Sequence, residues 1–208
     1  FDVAADGTLL GEGLGMIALK RLSDAERDGN HIYATIKGIG TSSDGRSKSI
    51  YAPVSEGQSR ALRRADEAAG YAPTTVELVE AHGTGTKAGD IAELGGLKLC
   101  FDDVEWKKSE RQTIALGTVK SQIGHTKSAA GAAGIIKAAL ALHEKVLPPT
   151  IKITTPSPAA KFEETPFYLN TELRPWVRAS DHPRRAGVSS FGFGGSNWHI
   201  TLEEYVGK

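Results

Sequence analysis

Cysteine is nearly missing from this chain: Cys100 stands alone among 208 residues. One thiol cannot close an internal disulfide, and a reducing, cytoplasmic setting is expected. Net charge is missing as well, since 25 Lys and Arg balance 25 Asp and Glu. With no basic stripe to displace counterions from a phosphate backbone, nucleic-acid binding is not expected. Long apolar runs are also lacking. The longest stretch of small apolar residues, Ser128 to Leu142, is broken by Lys137 and falls short of the roughly 20 residues that span a bilayer. No charged-then-apolar leader opens the sequence. The expectation is a soluble protein with no membrane partner. Short-period repeats and low-complexity tracts do not occur, and the length suits one sizeable domain or two small ones.

What is present alternates. "GMIALKRL" (15–22) and "HIYATIKGIG" (31–40) read as strands joined by a polar helical turn, a β-pair. Ser55 and Gln58 have capping-box spacing before a helix whose apolar positions are Ala61, Leu62, Ala65, Ala68 and Ala69, with Gly70 as its stop. Then come "VELVEAH" (strand), "DIAELGGLKLCF" (helix), "TIALGTVKS" (strand) and "SAAGAAGIIKAALALHEKV" (helix, stopped by Pro148 and Pro149). Such alternation predicts an α/β fold with a largely parallel sheet and helices on its faces. "FYLNTELRPW", "RRAGVSSF" and "NWHITLEEY" read as short antiparallel strands closing a mixed sheet. The polar stretch "SSDGRSKSIYAP" (42–53) is where an internal boundary would fall.

In such a sheet, functional groups gather where strands end. Three ends carry unusual residues: His82 in "VEAHGTGTKAGD", Lys120 to His125 in "KSQIGH", and Phe191 to Gly195 in "FGFGG". An isolated histidine at a strand end more often satisfies a buried carbonyl. Here Gly83 and Gly85 permit a tight turn and close ligand approach, while Thr84 and Thr86 offer hydroxyls, a combination suited to a slender polar chain. A phosphate-binding P-loop is disfavoured because "GTGTKAGD" lacks the Gly-Lys-Ser/Thr ending. Tight helix packing accounts for Ala129 to Gly134, but not for Lys120 and His125. Two histidines without a carboxylate or cysteine at ligand spacing make a poor zinc signature, so no metal is expected. Glycines on both sides of Phe193 free its backbone N–H to face a cavity and stabilise an oxyanion, the alternative being an ordinary hairpin turn. His199, opposite Trp198, Ile200 and Leu202, reads as structural. Cys100, beside Leu97 and Phe101 in an apolar helix, reads as core.

Taken in this order, "FDVAADGTLLGEGLGMIALKRLSDA", "VEAHGTGT", "KSQIGHT" and "GVSSFGFGGSN" resemble the second half of a β-ketoacyl synthase, the thiolase-fold condensing enzyme of fatty-acid and polyketide assembly. "GTGTKAGDIAE" and "NWHITLEEY" are closer to the large multidomain synthases of polyketides or polyunsaturated fatty acids. The resemblance implies residues 1–52 as the end of the domain's first half, including its last β-pair, and 53–208 as the complete second half. It implies decarboxylative Claisen condensation of an acyl chain with malonyl on an acyl carrier protein. His82 and His125 match the histidines that stabilise the enolate, Lys120 the lysine supporting the second of them, and Phe193 the residue whose amide lines an oxyanion hole. Thr84, Thr86, Phe191, Gly192 and Gly194 fall in the pantetheine and acyl pocket. No cofactor is implied beyond the carrier's phosphopantetheine, and a homodimer is expected of the complete domain.

The family's nucleophilic cysteine lies upstream of the part resembling Phe1. This chain is therefore expected to need the domain's first half and to be inactive alone. The alternative reading is a non-catalytic partner of the chain-length-factor kind, against which the retained His82 and His125 argue. A degradative thiolase relative is disfavoured by Lys120 and the "GHT" pattern.

Overall fold

The computed structural model describes residues 1–46, 49–102, 112–178 and 181–207. Helix α1 (Leu22–Arg27) precedes strand β1 (Thr35–Ser43) and helix α2 (Ser55–Ala69). Then β2 (Leu78–Glu80), α3 (Lys87–Asp102), β3 (Ile114–Gly117), the single turn α4 (Lys120–Ile123) and α5 (Ala130–Glu144) follow. The remaining strands are β4 (Val146–Leu147), β5 (Phe167–Leu169), β6 (Arg174–Pro175), β7 (Arg185–Gly192) and β8 (Ser196–Glu203).

Six strands form one mixed sheet in the order β1-β8-β7-β2-β3-β5. β5, β3, β2 and β7 run parallel, while β7–β8 and β8–β1 are antiparallel. Adjacent strand residues feed opposite layers, as the pleat requires. Val79, Ile114 and Leu116 join α3's Leu94, Leu97 and Phe101 in one core. Leu78, Ala115 and Val188 join α5's Ala138 and Leu142 in the other. Strands covered on both faces carry near-continuous apolar runs, which is how "LVE" and "IALG" read.

Helix α2 ends on Gly70 in the left-handed conformation, φ 73°, as the glycine stop predicts. Its start differs from the expected capping box. Val54 is the N-cap, and the Ser55 hydroxyl instead donates to Ala92 O of α3 at 2.8 Å, tying two helices together. Three strand expectations are also corrected. Residues 15–22 are not a strand. Leu14, Met16 and Leu19 are 87, 86 and 73% exposed, and Gly15 lies across α5, where a Cβ would stand 3.0 Å from Ala132 Cβ. An apolar run becomes a strand only where a neighbour offers a ladder, and none does so among the described residues. β5 is parallel to β3, not antiparallel, because Phe167 pairs with Ile114 on the sheet's far edge. "RPW" leaves the main sheet and pairs with β4. β1, before residue 52, is bonded along β8 from Thr35↔Glu203 to Ser43↔Ser196, so the sheet draws strands from both sides of that position.

Candidate active site

Two loops converge at the carboxyl ends of the neighbouring parallel strands β2 and β3. His82 follows β2 by two residues, and its backbone N–H donates to Glu93 Oε1 at 2.6 Å. Gly83 N–H donates to Glu93 Oε2 at 2.8 Å. One buried carboxylate on α3 therefore fixes the turn after the strand. Gly83 has φ 45°, and a Cβ there would lie 2.8 Å from Thr118 Cβ in the second loop. Glycine is what lets the loops touch.

The second loop runs from Thr118 through α4 to His125. Residues 9–11 pin its end: His125 N–H donates to Leu9 O at 2.8 Å, and Gly11 N–H donates to His125 O at 3.1 Å. Gly124, φ 73°, would bring a Cβ within 2.8 Å of Leu10 O, so the residue before His125 cannot carry a side chain without moving that strap.

The rings of His82 and His125 meet edge to face, with centroids 5.4 Å apart and planes at 87°. Phe191, at the end of β7, lies 5.8 Å from the His82 ring and is itself 9% exposed. Burial pushes the His82 imidazole down to about 3, helped by Lys120 and His125. His125 is lowered too, by burial first and then by Lys120 and Lys127. Both rings are neutral at pH 7. The Lys127 N–H donates to His125 Nδ1 at 3.0 Å, which makes Nδ1 an acceptor and leaves the ring proton on Nε2. His82 Nδ1 is buried without a hydrogen-bond partner among the described residues.

Lys120 opens α4 and is 8% exposed. Its ammonium is lowered by burial, against the pull of Glu93 and Glu80. Burial pushes Glu93 up to about 7, opposed by its two amides and Lys120. Thr84 and Thr86 sit in the turn after His82 with their hydroxyls 3.1 Å apart, and Gly89 N–H donates to Thr86 Oγ1 at 3.1 Å. In the last hairpin, Gly194 N–H donates to Ile50 O and Gly195 N–H to Gly192 O. The Phe193 ring is 78% exposed and rests edge-on against Tyr51 at 5.3 Å. The structure thus brings His82, His125, Lys120 and Phe191 together, whereas the Phe193 side chain faces outward. His199 is buried, 2.9 Å from Ser189 Oγ, and burial lowers it to about 4. Cys100 is 3% exposed in the core. No cluster able to hold a metal occurs among the described residues.

Glu93 and Glu80 are the site residues that sequence reasoning passed over. Glu93 reads as one polar position of a helix, and Glu80 as one of a strand. The available signal was an acid inside an otherwise buried segment, which requires a partner.

A trough of about 450 Å³ crosses the outer face of α5, lined by Leu14, Ile123, Ala133, Ile136 and Leu140, and reaches neither histidine. No helix among the described residues is long and apolar enough to cross a membrane.

The family described as "Beta-ketoacyl synthase, C-terminal domain" matches residues 33–154. Polyketide synthase PksL of Bacillus subtilis is 48% identical over 205 residues, 99% of this chain and 4% of PksL. The polyunsaturated fatty acid synthase of Thraustochytrium contains a polypeptide 48% identical over 209 residues, 98% of this chain and 7% of that protein. Among solved structures, the ketosynthase from module 6 of the Bacillus subtilis bacillaene synthase superposes with TM-score 0.86 at 47% identity, covering 91% of this chain and 35% of that one. The module 1 ketosynthase of Bacillus amyloliquefaciens gives 0.88 at 35% identity, covering 100% and 38%. The chain spans under a tenth of these curated relatives and between a third and two fifths of the solved ketosynthases.

Proposed function

Because this chain belongs to the β-ketoacyl synthase family and has its thiolase-like fold, we propose that it supplies the decarboxylating half of a ketosynthase site. The reaction is condensation of an acyl chain with malonyl on an acyl carrier protein, in polyketide or polyunsaturated fatty-acid synthesis in the cytoplasm. The carrier's phosphopantetheine passes along Thr84 and Thr86. The other partners are the first half of the domain, which holds the nucleophilic cysteine, and a second copy of the completed domain.

The supporting observation is the neutral pair of imidazoles with centroids 5.4 Å apart. When malonyl loses CO₂, the C–C bonding electrons move into an enolate, and negative charge grows on the thioester oxygen. A neutral imidazole donates one N–H to that oxygen without holding a proton the carbanion could take. On His125 that donor is Nε2–H, since Nδ1 is already an acceptor. Lys120 disfavours protonation of both rings. The carbanion then attacks the acyl thioester carbon, and the cysteine thiolate leaves. Phe191 covers one side of His82, limiting the water that would quench the carbanion. The Phe193 amide serves the oxyanion of that second step.

The test is CO₂ release from malonyl carrier by the complete ketosynthase domain. His82→Ala and His125→Ala are each expected to lower it at least about 100-fold, the scale of removing a preorganised oxyanion donor. Unchanged release in both variants would remove the assignment.

A further inference from the structure

Glu80 is the buried acid that the chemistry above leaves unused. It is 2% exposed at the end of β2, two residues before His82. Its two oxygens are divided between different elements. Oε1 accepts the Val119 N–H at 2.6 Å, from the residue before Lys120. Oε2 receives Lys137 Nζ of α5 at 2.7 Å, an ion pair whose side chains are 10% (Lys137) and 2% (Glu80) exposed. The fit beneath it is close, because a Cβ on Gly134 would stand 3.2 Å from Glu80 Cγ and 3.0 Å from Val188 Cγ1. Among the described residues Lys120 has no carboxylate within ion-pair distance, although Glu93 and Glu80 both act on it through space. Two buried acids and two buried cations thus meet behind the histidines, and only one acid–cation pair is closed.

We propose that Glu80 and Lys137 are positioning residues for the condensation: Glu80 clamps the Val119–Lys120 turn, and Lys137, by neutralising Glu80, keeps the Lys120 cation directed at His82 and His125. This rests on the reading of the histidine pair given above. Without Lys137, the charge of Glu80 in a low-dielectric interior is uncompensated, and the nearby ammonium of Lys120 is the group able to answer it. Lys120 would swing toward Glu80 and weaken its field at the rings. The groups facing His125 are Lys120 from α4, Lys127 from the next turn and His82 from the β2 loop. Removing Glu80 instead leaves Lys137 uncompensated and strengthens the positive field.

The prediction is therefore a pair of opposite shifts, which loss of packing alone does not produce. The readout is the titration midpoint of His125, followed by NMR in the complete ketosynthase domain labelled with ¹³C-histidine. Lys137→Met should raise the midpoint by about one pH unit. Glu80→Gln, whose amide oxygen still accepts the Val119 N–H, should lower it. Lys137→Arg should stay near wild type, and the double variant Glu80→Gln/Lys137→Met should return toward it. A folded Lys137→Met variant with the wild-type midpoint, or shifts of the same sign in both single variants, would overturn the proposal. If Lys137→Met does not fold, Glu80→Gln decides: an unchanged or raised midpoint overturns it. CO₂ release measured on the same samples separates the two readings, since inert wild-type protein with the opposite shifts intact refutes the proposed function alone.

Discussion

Asp66 shows what a single buried charge does to this fold. It sits on α2, 8% exposed, with the Cys100 thiol 3.5 Å from its Oδ2. Burial pushes its carboxyl up to about 7 from 3.8, the thiol opposing weakly. A carboxyl whose folded value is raised holds its proton in the native state where the unfolded chain has lost it. Stability therefore falls as pH rises from about 3.8 to about 7, and the cost stays in place above that. Asp66→Asn should raise the melting temperature of the complete domain at pH 8 by at least about 4 °C and leave it nearly unchanged at pH 4. An equal gain at both pH values would mean packing, not ionisation, limits that position. His82 has the opposite sign: its folded value is depressed to about 3, so its contribution is lost as pH falls below 6.5 toward 3.

Between elements, close approach matters more than charge. On β1 a Cβ at Gly40 would lie 1.9 Å from Ala61 O of α2, so the helix rests directly on the strand. Gly40→Val should cost about 1–3 kcal/mol or more in a urea melt, whereas Gly7→Ala, with nothing within 4 Å of the added carbon, should stay within about 0.5 kcal/mol of wild type. A tolerated Gly40→Val would mean that α2 does not sit where the structure puts it. Contacts of this kind also mark where sequence reasoning stopped. The alternating apolar runs of β2, β3 and α5 and the Gly70 stop are local signals, legible without coordinates. His82, Lys120 and His125 were legible because they follow strand ends in glycine-rich text. The pairing of Thr35 with Glu203 and of Phe167 with Ile114 is non-local, and nothing in either segment alone encodes its partner. The run at 15–22 had a strand's composition without a strand's neighbour. Glu80 and Glu93 escaped notice because a buried acid is distinguished by its partners, and Val119, Lys137, His82 and Gly83 are scattered over distant parts of the chain.

At the scale of the whole molecule, the sheet puts its chemistry on one rim and its unfilled apolar surface elsewhere. The trough over α5, with Leu14 87% exposed beside it, is where we place the first half of the ketosynthase domain, and the histidine rim is where that half would deliver its acyl thioester. On this account the chain brings one enolate-stabilising device, and the paired imidazoles are its working part. The most direct test is a crystal structure of the complete domain bound to a malonyl-pantetheine amide that cannot be decarboxylated at the thioester. The account predicts the amide oxygen within about 3.2 Å of a ring nitrogen of both His82 and His125. An oxygen held by neither ring, or by one ring while the other turns to a different group, would contradict it.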